Sequence, residues 1–243
     1  MKAILTGHTR GLGAAIAHEL LSRDIAVLGL ARNRNAVLRK QFPLIFREAE
    51  IDLSDSDALL RWLERGGLRT FIDNSETVLL INNAGIVQPV GPIQAQDLAI
   101  VAQAVNLNVA ASMILSSAVA AAARAASDIR ILHISSGAGR NAYPGWSVYC
   151  ASKAALDHHA RSVMLDRVPN VRICSLAPGV IDTDMQAAIR ATPLEHFPLR
   201  ERFEQLKQEN QLTQPKDCAR QLVDYLLGNL FGQNPVDDLR SGR

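Results

Sequence analysis

Tyr149 and Lys153 stand four residues apart, and Ser136 lies thirteen residues before the tyrosine. A phenol is a weak acid near neutral pH, with an unperturbed pKa of about 10. It becomes a useful proton donor when its anion is stabilised. On a helix, a lysine one turn further on shares the tyrosine's face. Its ammonium lowers a phenol's pKa through proximity of charge. The three residues together suit the delivery of a proton to a carbonyl, or its removal from an alcohol. Taken alone, YxxxK is also the pattern of a half-buried core tyrosine beside a solvated lysine, so the rest of the chain decides.

The elements that must position these groups can be read from the chain. The break Pro144-Gly145 precedes good helix formers, which predicts a helix carrying Tyr149 and Lys153. Short apolar runs at 2–6, 26–30, 44–51, 78–81, 129–134 and 171–176 read as strands. Helical patterns fall between them at 12–22, 35–41, 55–65, 96–126 and 146–167, with a last helix at 216–227. Continuous apolar strands are those of a parallel sheet covered on both faces. The alternation predicts an α/β fold: a doubly wound, Rossmann-type parallel sheet of about seven strands, in three α/β/α layers. Residues 1–243 read as one domain. A helical insert at about 183–214 is expected to act as a lid over the substrate. The tail from Asp237 is expected to fray beyond a short last strand.

Composition narrows the function. The 243 residues carry 26 basic and 24 acidic side chains, a net charge of +2, which gives no reason to expect nucleic acid or a membrane surface as partner. The most apolar stretch, 109–123, reads as too short to span a bilayer and as a packed helix in the core or at a subunit interface. Cys150, Cys174 and Cys218 have no metal-ligand spacing, and no metal is expected. The first strand begins at Met1-Lys2-Ala3, and with so few cysteines a reducing cytoplasm is the expected location. His158 and His159 point about 100° apart on a helix and cannot share one ion. Trp146, three residues before Tyr149, is either a wall of the substrate pocket or a plain core residue.

A glycine-rich loop follows the first strand: Thr6-Gly7-His8-Thr9-Arg10-Gly11-Leu12-Gly13. Glycines there allow a tight turn and close approach of backbone, and the free N–H groups of the following helix suit a pyrophosphate. The second strand ends Gly29-Leu30-Ala31-Arg32-Asn33-Arg34, with no acidic residue for a ribose 2′-hydroxyl. Arg32, flanked by Arg10, can instead grip a 2′-phosphate with its guanidinium fork. NADP(H) is the cofactor this pattern predicts, although two solvated surface arginines would look the same.

Loop, Asn82-Asn83-Ala84-Gly85, Ser136, Tyr149 and Lys153 occur in one order and spacing, and so the chain resembles the short-chain dehydrogenase/reductase (SDR) family along essentially its whole length. The resemblance implies roles by position. Gly7, Thr9, Arg10, Gly11, Leu12 and Gly13 would cradle the cofactor. Asp52 and Leu53 would lie beside its adenine, and Asn83, Ala84 and Gly85 near its adenosine ribose. Pro178, Gly179, Ile181 and Thr183 would hold the nicotinamide end. Ser136 and Tyr149 would meet the reacting oxygen, and Lys153 would tune the tyrosine and hold ribose hydroxyls. Asn106, preferred over its neighbour Asn108, would orient a water leading from the lysine to solvent. Trp146, Val180 and Met185 are expected to line the substrate pocket.

The C-terminal half resembles sepiapterin reductase and related carbonyl reductases, through Gly145–Ala151 and the run Ala177-Pro178-Gly179-Val180-Ile181-Asp182-Thr183-Asp184-Met185-Gln186. Those reductases hold a pterin with an acidic residue near the C-terminus, where this chain reads Val236-Asp237-Asp238-Leu239-Arg240. The reaction implied is NADPH-dependent reduction of a ketone, diketone or aldehyde, with Tyr149 as proton donor, by a homodimer or homotetramer acting on a small molecule. An alcohol dehydrogenase working oxidatively and a non-catalytic NADP(H) sensor are the alternatives.

Overall fold

The computed structural model describes residues 1–241. Seven parallel strands form its centre: β1 Lys2–Thr6, β2 Ala26–Ala31, β3 Phe46–Glu50, β4 Thr77–Asn82, β5 Asp128–Ile134, β6 Val171–Ala177 and β7 Val236–Asp238. They lie side by side in the order β3-β2-β1-β4-β5-β6-β7. Their middles are buried on both sides, as Ile4, Leu5, Leu79, Leu80 and Ile81 at 0% exposure illustrate. Burying each such side chain contributes about 1.5–3 kcal/mol.

Helices α1 Gly11–Ser22, α2 Ala36–Gln41 and α10 Pro215–Leu227 cover one face, with Ile16, Leu20, Leu38, Leu222 and Val223 in that core. On the other lie α3 Ser56–Glu64, α4 Gly67–Ile72, α6 Ala111–Ala122 and α7 Ser147–Leu165, which contribute Leu59, Phe71, Leu115, Val119 and Ala160. The result is the three-layer Rossmann-type arrangement. Strand order reverses between β1 and β4, so the loops leaving these strands diverge and open a crevice at their C-terminal ends.

Two elements depart from the sequence reading. The helical pattern over 96–126 is two helices, α5 Leu98–Val105 and α6, joined by a π-helical turn at Asn106–Ala110. Together they run 25 residues with a mean hydropathy of 1.8, long and apolar enough by composition to cross a bilayer and longer than the stretch the sequence marked out. One side of α6, with Ala111, Ser112, Leu115, Ser116 and Val119, packs on the sheet. Helix α4 was not expected, because its six residues are too few for a period to show. The insert contains α8 Asp184–Arg190 and α9 Arg200–Gln208, and the tail forms β7 followed by a short 3₁₀ turn at Leu239–Ser241.

Candidate active site

Loop chemistry at the end of β1 builds one wall of the crevice. Gly7 takes φ +72°, a left-handed conformation that only glycine adopts without strain. Gly13 lies so close beneath it that a Cβ there would stand 2.0 Å from the Gly7 carbonyl oxygen. The side chain of Asn83 ties this loop to β4: its Nδ2 donates to Thr6 O at 2.9 Å and to Gly7 O at 3.2 Å. Thr6 Oγ1 accepts from the amides of Asn83 and Ala84, each at 2.9 Å.

The opposite wall comes from β5, α7 and the segment after β6. Ser135 and Ser136 both leave the end of β5, and their hydroxyls have different commitments. Ser135 Oγ donates to the buried Asp157 at 2.6 Å, as does Ser175 Oγ at 2.7 Å. Ser136 is half-buried and caps the short turn Gly137–Gly139, its Oγ accepting from Ala138 N at 3.2 Å. The same side chain hydrogen-bonds Tyr149.

Tyr149 is 9% exposed and Lys153 is 5% exposed. Lys153 Nζ donates to the carbonyl of Ile134 at 2.7 Å and stands 5.6 Å from the centre of the Tyr149 ring. Burial pushes the tyrosine hydroxyl up to about 12, and the Ser136 hydroxyl opposes this only in part. Burial also pushes the lysine down to about 8, against the upward pull of Asp157 one turn further along α7. In the protein alone, desolvation of the phenol is the largest influence on its pKa, and the Ser136 hydroxyl is the group that opposes it.

Two asparagines flank Leu107, and neither lines the crevice. Asn106 begins the π turn and is half-buried. Asn108 is 1% exposed and faces inward. Its Oδ1 accepts from Ile86 N at 2.9 Å, and its Nδ2 donates to Ile86 O at 2.9 Å and Ser152 Oγ at 3.2 Å. Between Asn108 and Lys153 sits Gly85, where a Cβ would be 3.1 Å from the Asn108 Oδ1 and 3.8 Å from the lysine nitrogen. A π turn adds a residue to the helical repeat, which changes which side chain faces the sheet. That register is invisible in the sequence.

Every other residue assigned to the cofactor, catalytic or substrate site lines one cleft of about 750 Å³. At one end are Arg32 and Asp52. Burial would raise the Asp52 carboxyl, but hydrogen bonds from Ser54 and the nearby Arg32 hold it below its ordinary value. Arg10 meets Asp184 at 3.3 Å across the mouth, both well exposed. The glycine loop, Leu12, Leu53 and Gly85 lie along the middle, opposite Pro178, Gly179, Ile181 and Thr183. A cradle in which a Cβ at Gly13 finds no room, lined by glycine amides and closed by two arginines, fits an extended dinucleotide with phosphates at its centre.

The far end is apolar. Trp146 is 4% exposed and packs edge-on against Tyr149, with ring centres 5.4 Å apart. Phe197 stacks on its other side at 4.7 Å and 13°, and Phe203 leans in at 5.4 Å. Val180 and Met185 line this chamber with Phe203 and Ile189. The sequence reading missed Phe197 and Phe203, although they are the only aromatic side chains of the insert besides its histidine. Arg240 reaches the cleft beside Gly179, its guanidinium bonded to Asp238 at 2.9 and 2.6 Å. His159 meets the buried His133 of β5 at 3.0 Å.

A doubly wound sheet with a dinucleotide-shaped cleft at its switch point defines a nucleotide-binding α/β protein. The family model described as short chain dehydrogenase matches residues 1–194, and the chain belongs to this family of nicotinamide-dependent oxidoreductases acting on CH–OH and C=O groups. Benzil reductase ((S)-benzoin forming) of Bacillus cereus is 36% identical over 240 residues, covering 96% of each chain. Sepiapterin reductase of Meriones unguiculatus is 31% identical, over 94% of this chain and 92% of that one. The crystal structure of a short-chain dehydrogenase/reductase from Burkholderia vietnamiensis is 49% identical, with a TM-score of 0.73 over 100% of this chain and 98% of that one.

Proposed function

We propose that the protein is an NADPH-dependent carbonyl reductase whose substrates are small apolar ketones, foremost aryl 1,2-diketones. The observation that carries this reading is the meeting of Ser136, Tyr149 and Lys153 at the apolar end of a glycine-cradled cleft. When bound, NADPH supplies the hydride that reduces the carbonyl carbon. Ser136 donates a hydrogen bond to the carbonyl oxygen as negative charge develops there, and Tyr149 delivers the proton. Lys153 has three N–H donors and gives one to Ile134 O, leaving donors for the cofactor's ribose. Asn108, rather than Asn106, is the asparagine that holds the loop beside Lys153.

NADPH is favoured over NADH by Arg10 and Arg32 at the adenosine end, where β2 ends without an acidic residue. Aromatic walls at Trp146 and Phe203 suit flat aryl groups. Arg240 stands at the position that matches the pterin-holding acid of sepiapterin reductases, and it pairs with the neighbouring Asp238, which argues against sepiapterin-type substrates. The name of the Bacillus cereus relative points the same way. Leu98 is 84% exposed and Val105 is 44% exposed on α5, an apolar surface that supports association into a homodimer or homotetramer.

The test is NADPH oxidation, followed by absorbance, against benzil, a simple aldehyde and sepiapterin, repeated with NADH. Turnover highest with benzil and NADPH is expected. Highest turnover with sepiapterin, or equal use of both cofactors, would overturn the corresponding assignment.

A further inference from the structure

Of the loop residues 7–13, His8 alone does not line the cleft. It turns under the sheet edge and is fully buried, at 0% exposure. Its Nε2 donates to Glu48 Oε1 at 2.8 Å, and the Glu48 side chain is itself only 3% exposed. The same oxygen accepts the backbone N–H of Asn35 at 2.6 Å. Asn35 returns to the glycine loop, its Nδ2 lying 3.4 Å from His8 O and 3.5 Å from Thr9 O, while its Oδ1 caps α2 by accepting from Leu38 N at 3.1 Å. Phe46 meets the imidazole edge-on at 5.5 Å. Gly29, in the middle of β2, makes the room: a Cβ there would stand 2.4 Å from His8 Nδ1.

Burying a carboxylate and an imidazole is costly, and an apolar pair would pack the same space more cheaply. His8 Nδ1 and Glu48 Oε2 find no partner, so the connection runs through Glu48 Oε1 and the Asn35 amide. What those contacts join is specific. His8 lies two residues before Arg10, and Asn35 lies three after Arg32. Arg34, between them, is held aside by Glu50 at 2.6 Å.

We propose that His8, Glu48 and Asn35 form a buried brace that fixes the spacing of Arg10 and Arg32. Glu48 and His8 are thus positioning residues for the cofactor's 2′-phosphate and determinants of NADPH-over-NADH preference. This rests on the assignment of that phosphate to Arg32.

The experiment measures dissociation constants for NADPH and NADH by fluorescence titration in Glu48→Ala, Glu48→Gln, Arg32→Ala and the double variant Glu48→Ala/Arg32→Ala. Glu48→Ala is expected to weaken NADPH about tenfold and NADH less than about twofold, a coupling of ordinary size for groups in one network. Glu48→Gln keeps the acceptor oxygen and is expected to restore most of the loss. In the Arg32→Ala background, Glu48→Ala is expected to have a clearly smaller effect on NADPH, the remainder acting through Arg10. Equal weakening of both cofactors, or an undiminished effect without Arg32, would overturn the brace. Should Glu48→Ala not fold, Asn35→Ser keeps the helix cap and removes the amide contacts. It is expected to weaken NADPH selectively by about threefold, and a non-selective change would again overturn the proposal. If Arg32→Ala leaves the preference unchanged, the phosphate assignment itself fails. If Arg32→Ala abolishes the preference while Glu48→Ala and Asn35→Ser leave it intact, only the brace fails.

Discussion

Lys153 Nζ stands 5.6 Å from the centre of the Tyr149 ring and is anchored on the carbonyl of Ile134 rather than on the phenol oxygen. The tyrosine is pushed up to about 12 and the lysine down to about 8, both chiefly by burial. The pair is therefore an uncharged acid beside a readily discharged cation, and the lysine is the member that titrates near physiological pH.

A pH profile follows from this. For reduction, kcat/KM is expected to fall as pH rises through about 8, where Lys153 loses its proton in the free protein. Asp157, one turn along α7, pulls the lysine's pKa upward. Asp157→Asn keeps an acceptor for Ser135 and Ser175 but removes the charge, so the fall is expected to begin at lower pH. Initial rates from about pH 6 to about pH 10 check the direction.

Acid stability has a separate source. His133 is fully buried in β5, accepting from Asn82 at 3.1 Å and donating to His159 at 3.0 Å. Burial, then the neighbouring His159 and Lys153, lower its pKa to about 3. A depressed folded-state value means that its stabilising contribution is complete above about 6.5 and is lost as pH falls toward 3. His133→Gln is expected to flatten the dependence of unfolding free energy on pH below 6.5 by up to about 1.4 kcal/mol per pH unit. Urea denaturation at several pH values measures it. His8 and His159, lowered by burial in the same direction, account for residual slope.

Gly13→Ala tests the cradle. Its new Cβ would fall 2.0 Å from Gly7 O and 2.5 Å from Asn83 Nδ2, so the loop or β4 must shift. Overpacking of this kind costs about 1–3 kcal/mol. A lower urea midpoint and weakened NADPH binding are expected together.

Much of this site was legible before the fold was known. The glycine spacing, the serine–tyrosine interval and the YxxxK pair are local patterns, and local patterns survive in a string of letters. The strands read well because a sheet buried on both faces leaves continuous apolar runs. What failed was register and distance. A π turn at Asn106–Ala110 brings Asn108 inward instead of Asn106. His8 and Glu48 lie forty residues apart and meet only because β2 and β3 pair. Phe197 and Phe203 reach Trp146 from an insert whose charged pattern announces a solvated face and hides its inner one.

The central claim is that Tyr149 protonates a carbonyl oxygen in an NADPH-dependent reduction. Its most direct test is steady-state reduction of benzil by the parent protein and by Tyr149→Phe, with NADPH affinity measured in both. Loss of a positioned general acid is expected to lower kcat by about 10²–10⁴-fold, with the NADPH dissociation constant changed little. Turnover retained by Tyr149→Phe at the parent's rate, with NADPH still bound, would contradict the account.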